Sequence, residues 1–208
     1  GEVHGVTYTL QTKEGGSVYV ALSGQVVRGV QGTLSHTHCV LTDLTARRQQ
    51  EQRWEIASRI ASVSTTERSL KELLTQIHQE LDQVLHAASF YVALCKDGDP
   101  DTFSFPYVID ERPAVYAEPT EMPIHSPKSL TARTLRQGRP NLMQRPEIEA
   151  LLARGEIADI GPLSAVWMGV PLQVEGRLIG LLAVQSYDDP DAYDQEDPEF
   201  VQFVSDQI

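Results

Sequence analysis

Between residues 164 and 187 the apolar positions form two runs, Val166-Trp167-Met168-Gly169-Val170-Pro171-Leu172 and Leu178-Ile179-Gly180-Leu181-Leu182-Ala183-Val184, hinged at Glu175-Gly176. Glycine accepts the positive φ of a tight turn, and Val, Ile and Leu suit the flanking strands, so this is a predicted hairpin. Trp167 enters its first strand, and the polar Gln185-Ser186-Tyr187 leaves its second. Residues 1–44 alternate instead. Val6, Tyr8 and Leu10 share a face, Val18 to Val27 forms a second strand, and His36 to Leu41 a third, with turns at Lys13–Gly16 and Arg28–Gly32. Such a sheet leaves one apolar face in need of cover by a partner chain, a neighbouring segment or further residues.

Residues 45–86 change to a helical period. Ile56, Ile60, Val63, Glu67, Leu70, Leu74, Ile77, Leu81 and Val84 alternate steps of four and three, which is the seam of a parallel coiled coil. Ile56, Ile60, Val63 and Leu70 are the candidate dimer contacts. Ordinary amphipathic packing also accounts for Leu70 to Val84, so the dimer rests mainly on Trp54 to Val63. Ser64-Thr65-Thr66-Glu67 matches a capping box and predicts a break near 64–68, with one unbroken helix as the alternative.

From residue 87 the expected order is mixed. Strands fall at Ser89–Cys95 and Thr102–Ile109 around a Lys96–Asp101 turn, and an irregular proline-rich stretch follows to His125. A helix starting at Ser126-Pro127 ends at Gly138, a short strand covers Asn141–Gln144, and a helix Pro146–Glu156 precedes the hairpin. A last helix begins near Gln195.

The phrase Trp-Met-Gly-Val-Pro-Leu, turn, Ile-Gly-Leu-Leu-Ala-Val-Gln resembles the central hairpin of GAF domains, a family mostly of small-molecule sensing and dimerisation modules. Ser129 to Pro140 resembles that family's helix–Gly–x–Pro element. Separately, Thr42-Asp43-Leu44-Thr45-Ala46-Arg47-Arg48 resembles the end of a PAS domain, where the last strand passes into an output helix. The resemblances imply an α+β chain: the C-terminal part of a PAS domain at 1–44, a linker or signalling helix at 45–66, and a GAF domain at 67–208. In the last, a central antiparallel sheet is flanked by helices. They further imply a pocket between the sheet and the 110–128 segment. Phe103, Phe105, Tyr107, Ser164 and Trp167 are its lining candidates by strand position.

The net charge of −12 is uneven: Lys and Arg against Asp and Glu number 2 to 3 in residues 1–44, 6 to 6 in 45–86, and 9 to 20 in 87–208. Phosphate backbones and anionic membranes need clustered cations, so nucleic acid and direct membrane contact are not expected. No apolar run of about 18 residues occurs, and Cys39 and Cys95 form no paired motif, which suits a reducing cytoplasm. With no initiator Met, no signal-peptide pattern and an ending in helical rhythm, the chain is expected to be a piece of a longer protein with a truncated last helix.

Candidate chemistry is sparse. GAF relatives that reduce free methionine sulfoxide use several cysteines, and this segment holds only Cys95, which is expected to be structural. Bilin-binding relatives place His after the attachment Cys; here Lys96 follows. His78, before Glu80 and Leu81, lacks the Arg and Pro of a phosphoacceptor motif and is expected on a solvated helix face. Asp188–Asp197 fails the EF-hand spacing and suits helix capping. The family's cyclic-nucleotide constellation is missing, and the His residues have no ligand-like spacing. No metal, cofactor or catalytic residue is assigned. The expected function is a cytoplasmic, non-catalytic sensory module of a bacterial signalling protein. It would dimerise through helix 45–86, bind a small molecule of unknown identity, and control a histidine kinase or diguanylate cyclase. A ligand-free dimerisation scaffold is the alternative, and a thiol redox enzyme a distant one.

Overall fold

The computed structural model describes residues 2–13, 15–28, 34–63, 69–112, 120–158 and 162–206, with the side chains of 61–63 and 121–123 excepted. The chain divides into two units, Gly1–Trp54 and Glu55–Ile208.

In the first unit, β1 (Glu2–Gln11), β2 (Ser17–Arg28) and β3 (Leu34–Asp43) form an antiparallel meander in that order. Val6 pairs Leu22, which pairs Leu41, and these lie on one face with Tyr8 and Leu10. That face is exposed along β1 and β3, with Tyr8 at 48% and Leu41 at 56%, while Val20 of the central strand is buried. At the sheet's end the Asp43 carboxylate accepts the Thr45 N–H at 2.8 Å and opens α1 (Thr45–Val63). The Thr45 hydroxyl and N–H hold the Asp43 pKa below the ordinary value. Thr45 Oγ1 in turn accepts the Tyr19 N–H at 2.9 Å, and the Arg48 guanidinium lies 4.2 Å from the Tyr19 ring centre. The strand-to-helix passage is therefore fixed from both sides.

The second unit is built on a six-stranded antiparallel sheet. It contains β4 (Ser89–Lys96), β5 (Asp99–Ile109), β6 (Thr120–His125), β7 (Asn141–Gln144), β8 (Val166–Val174) and β9 (Arg177–Ser186), in the order β6-β5-β4-β9-β8-β7. Its helices are α2 (Leu70–Leu81), α3 (Leu130–Gln137), α4 (Arg145–Ala153) and α5 (Asp197–Ser205). Both faces are covered, which explains why β8 and β9 read as continuous apolar runs rather than alternating ones. Val166, Met168, Val170, Leu182 and Val184 face a core closed by α2, α5 and the end of α1. Trp167, Leu181 and Ala183 face a second core closed by α3 and α4.

The helical stripe of residues 56–84 is mostly consumed by the first of these cores. Ile56 and Ile60 are 3% and 0% exposed against their own chain, with Leu74, Ile77 and Leu81. Two of the four seam candidates thus sit in an intrachain core rather than on an open seam, because the sheet supplies the apolar surface they need. Leu70 is the exposed one at 47%, and the side chain of Val63 lies outside the described residues. Arg59 ties α1 to α2, donating to Glu80 at 2.9 Å and Gln83 at 2.9 Å. The Ser64–Glu67 motif is also outside the described residues. The capping box that starts α2 is Ser69 with Glu72, and the extended backbone at Ser69 (ψ 149) interrupts the helix there.

Three expectations shift in detail. The β4–β5 turn is only Asp97-Gly98, both at positive φ (53° and 78°), so β5 starts at Asp99 rather than Thr102. Residues 120–125 form a strand; Pro123 is compatible with it because β6 is a sheet edge. The helix expected from Ser126-Pro127 begins at Leu130 under an Ser129 cap, whose Oγ accepts the Ala132 N–H at 3.0 Å, and closes at Gly138 with φ 63°. The acids before α5 cap it: Asp194 Oδ1 accepts the N–H groups of Glu196 and Asp197, and Asp197 accepts that of Asp194 at 2.7 Å.

Candidate ligand-binding site

On the α3–α4 side the sheet does not close completely, and a cavity of about 140 Å³ remains. Its apolar wall comes from Phe103, Phe105, Trp167, Ile148 and Leu152. Phe103 and Phe105 stand edge to face with centres 5.4 Å apart. The Trp167 ring lies over Gly169, where a side chain would have collided with it.

Four of the five lining candidates, Phe103, Phe105, Ser164 and Trp167, border this cavity. Tyr107 does not. Simple alternation from Phe105 puts it on the same face, but β5 carries a bulge: Val92 pairs Tyr107 whereas Leu94 pairs Ser104. One extra residue at Phe105-Pro106 reverses the phase beyond it. Tyr107 therefore turns to the α2 side, where its hydroxyl meets His78 Nδ1 at 3.0 Å. His78 is half-buried rather than solvated. Its Nε2 donates to the Ala87 carbonyl at 2.8 Å, which leaves Nδ1 to accept from Tyr107, and its ring stacks on Phe90. The signal for the bulge was Pro106, which has no N–H to give a ladder.

The same phase change brings Val108 and Asp110 to the cavity. Asp110 anchors a polar end whose members come from three distant segments; strand position picks out Ser164 among them but not Asp110, Gln185 or Tyr187. The Tyr187 hydroxyl donates to Asp110 at 2.9 Å, and Gln185 Nε2 donates to the Tyr187 oxygen at 2.8 Å. Ser164 Oγ donates to Gln185 Oε1 at 2.8 Å. Burial first, and then the bond to Asp110, push the Tyr187 phenol above its ordinary range, so it remains a donor at neutral pH. Across the cavity Tyr91 accepts from Trp167 Nε1 at 3.1 Å and shares a 2.9 Å bond with Thr131. Burial raises its pKa as well, outweighing both of those bonds. Arg145 fixes the rim, with Nη2 donating to the carbonyls of Leu163 (2.8 Å) and Tyr187 (3.1 Å).

A profile of the GAF domain matches residues 67–208. The chain belongs to the GAF domain family. No curated protein matches it in sequence. Among solved structures, the phycoerythrobilin-bound GAF domain of a cyanobacterial phytochrome is similar at 12% identity and a TM-score of 0.56, over 76% of this chain and 93% of that one. Free methionine-R-sulfoxide reductase from Neisseria meningitidis, in complex with its substrate, is similar at 17% identity and a TM-score of 0.55, over 74% and 83%. The GAF domain of a two-component sensor histidine kinase from Bacillus halodurans follows at 14% identity and a TM-score of 0.50, over 67% and 90%. At these identities the likeness is one of fold.

Within this GAF domain Cys95 ends β4 outside the cavity. Burial, and secondarily the charge of Asp99, push its thiol up to about 11. Only the thiolate is nucleophilic, and at pH 8 about one thiol in a thousand is ionised at such a value. Alkylation of Cys95 in a Cys39→Ser chain, followed by mass spectrometry, is expected to be slow at pH 8. Its rate should rise about tenfold per pH unit. A rate that levels off below pH 9 would show an activated thiol instead. Among the described residues no group of three or more His, Cys, Asp or Glu is placed to hold a metal ion, and no helix is long and apolar enough to cross a membrane.

Proposed function

We propose that the GAF domain is a non-catalytic sensory module of a bacterial signal-transduction protein, with a small molecule in the Asp110–Trp167 cavity as its signal. The observation that carries this reading is the cavity itself: apolar walls with a few convergent polar groups are the usual form of a small-molecule site. Alternate residues of β8 and β9 face the cavity and the α2–α5 core. A shift of these strands on binding would therefore alter the packing of both helices, and through them a distant effector. A histidine kinase or a diguanylate cyclase suits this role; the Bacillus halodurans neighbour is a domain of a sensor histidine kinase. We read the N-terminal sheet and its passage into α1 as the end of a PAS domain, residues 45–66 as a signalling helix, and the setting as cytoplasmic. The domain has a single cysteine with a raised pKa, and this weighs against thiol redox catalysis despite the reductase neighbour.

The test is thermal denaturation of the whole chain against a library of neutral, cationic and anionic compounds of one-ring size. A true ligand at a hundred times its Kd adds about 2.7 kcal/mol of stability, a readily visible shift. A melting temperature indifferent to every compound, with a constant dimer in sedimentation velocity, would assign the domain to scaffolding instead. A constant monomer would remove the dimer from both readings.

A further inference from the structure

We propose that the cavity selects a compact organic cation, a protonated amine whose charge meets Asp110 and whose apolar body lies against Trp167, Phe103 and Phe105. The inference rests on the sensory reading and narrows it to a ligand class.

Size sets the first limit. An apolar cavity of about 150 Å³ holds one benzene-sized molecule, and this one measures about 140 Å³. A nucleotide or tetrapyrrole exceeds it several-fold.

Charge sets the second. Among the described residues lining the cavity, Asp110 is the only Asp, Glu, Lys, Arg or His. The neighbouring guanidinium groups stand outside this lining, and each holds at least one partner. Arg112 pairs with Asp188 at 2.5 Å and lies over the Tyr187 ring, Arg145 bonds two carbonyls, and Arg133 donates to Glu156 at 2.8 Å. An anionic ligand would lie beside the Asp110 carboxylate with no cation in the described lining to meet it, which is unfavourable.

Hydrogen-bond accounting sets the third. Tyr187, Gln185 and Ser164 satisfy one another, as do Tyr91, Thr131 and Trp167. A carboxylate has about four acceptor sites. Asp110 Oδ1 accepts from the Arg112 N–H at 2.9 Å and from Ser89 at 3.3 Å, and both oxygens share the one Tyr187 proton. Among the described residues Oδ2 otherwise has a stretched 3.5 Å contact from Gln185. The polar end therefore asks for a donor. A cation supplies one, and the π faces of Trp167, Phe103, Phe105 and Tyr91 favour a positive charge beside them.

Isothermal titration of the whole chain with benzylamine, cyclohexylamine and isoamylamine, each beside its alcohol and carboxylate counterpart, tests the assignment. We expect at least one amine to bind about tenfold or more tightly than its alcohol, with the carboxylates weakest. Asp110→Asn should erase the amine's advantage over its alcohol counterpart. The comparison on the unaltered chain stands even if that variant folds poorly. Equal affinities for amine and alcohol, or a preference for the carboxylate, overturn the cation and leave small-molecule sensing intact. Silence of all amines while another library compound stabilises the chain does the same. Silence of every compound overturns both.

Discussion

Gly180→Ala is expected to lower the stability of the GAF domain by about 3 kcal/mol or more, or to prevent its recovery in soluble form. Gly180 pairs with Leu94 between β4 and β9, at the centre of the six-stranded sheet. A Cβ built there would lie 2.2 Å from the Ala93 carbonyl oxygen and 3.0 Å from Leu94 Cδ2. The first of these is backbone and has no rotamer with which to yield. Relief requires the two central strands to part, which breaks ladder bonds and loosens both cores together. For a chain of this length each 1 kcal/mol moves the melting temperature by about 2–4 °C, so a drop near 10 °C is anticipated. Guanidinium unfolding followed by Trp167 fluorescence in a Trp54→Phe background measures it. A variant within about 0.5 kcal/mol of the parent would show that the strands are not held at this spacing.

Gly169→Ala is expected to abolish the cavity at a smaller cost to the fold. Its Cβ would meet Trp167 Cη2 at 2.1 Å, with two further ring carbons inside 3.0 Å. Here the obstacle is a side chain. Trp167 can swing away, and the open space available to it is the cavity. Overpacking of this kind costs about 1–3 kcal/mol. The swing also breaks the Trp167–Tyr91 hydrogen bond, so Trp167 emission should shift and any cavity ligand should bind at least about tenfold more weakly. Unchanged emission together with unchanged binding would refute the account of the cavity wall.

Much of the scaffold is legible from local pattern. The Glu175-Gly176 hinge, the Asn141–Gln144 strand and the Gly138 cap all lie where glycine chemistry and apolar runs place them. The hinge takes positive φ at both residues, 51° and 74°, a geometry that suits the twist of paired strands. The cavity was harder to read because its polar end is assembled from positions 110, 164, 185 and 187. No periodicity links those positions, and Asp110 stands at the edge of a stretch that reads as irregular. Tyr107 failed for a different reason: a period of two holds only until a bulge. Ile56 and Ile60 carry the spacing of a dimer seam, yet spacing records only that a face is apolar. It does not record whether the surface that covers it belongs to the same chain.

The bulge at Phe105-Pro106 behaves like a shift of reading frame. Before it the odd-numbered positions of β5, Phe103 and Phe105, face the cavity, and after it the even-numbered ones, Val108 and Asp110, do so. Laying the same residues in a regular ladder from Phe103 onward, with none in surplus, would leave the composition untouched. It would also carry Tyr107 into the cavity and drive the Asp110 carboxylate into the oily interior beneath α2. The make-up of the cavity's polar end thus depends on one surplus residue, a dependence that a tally of side chains does not record.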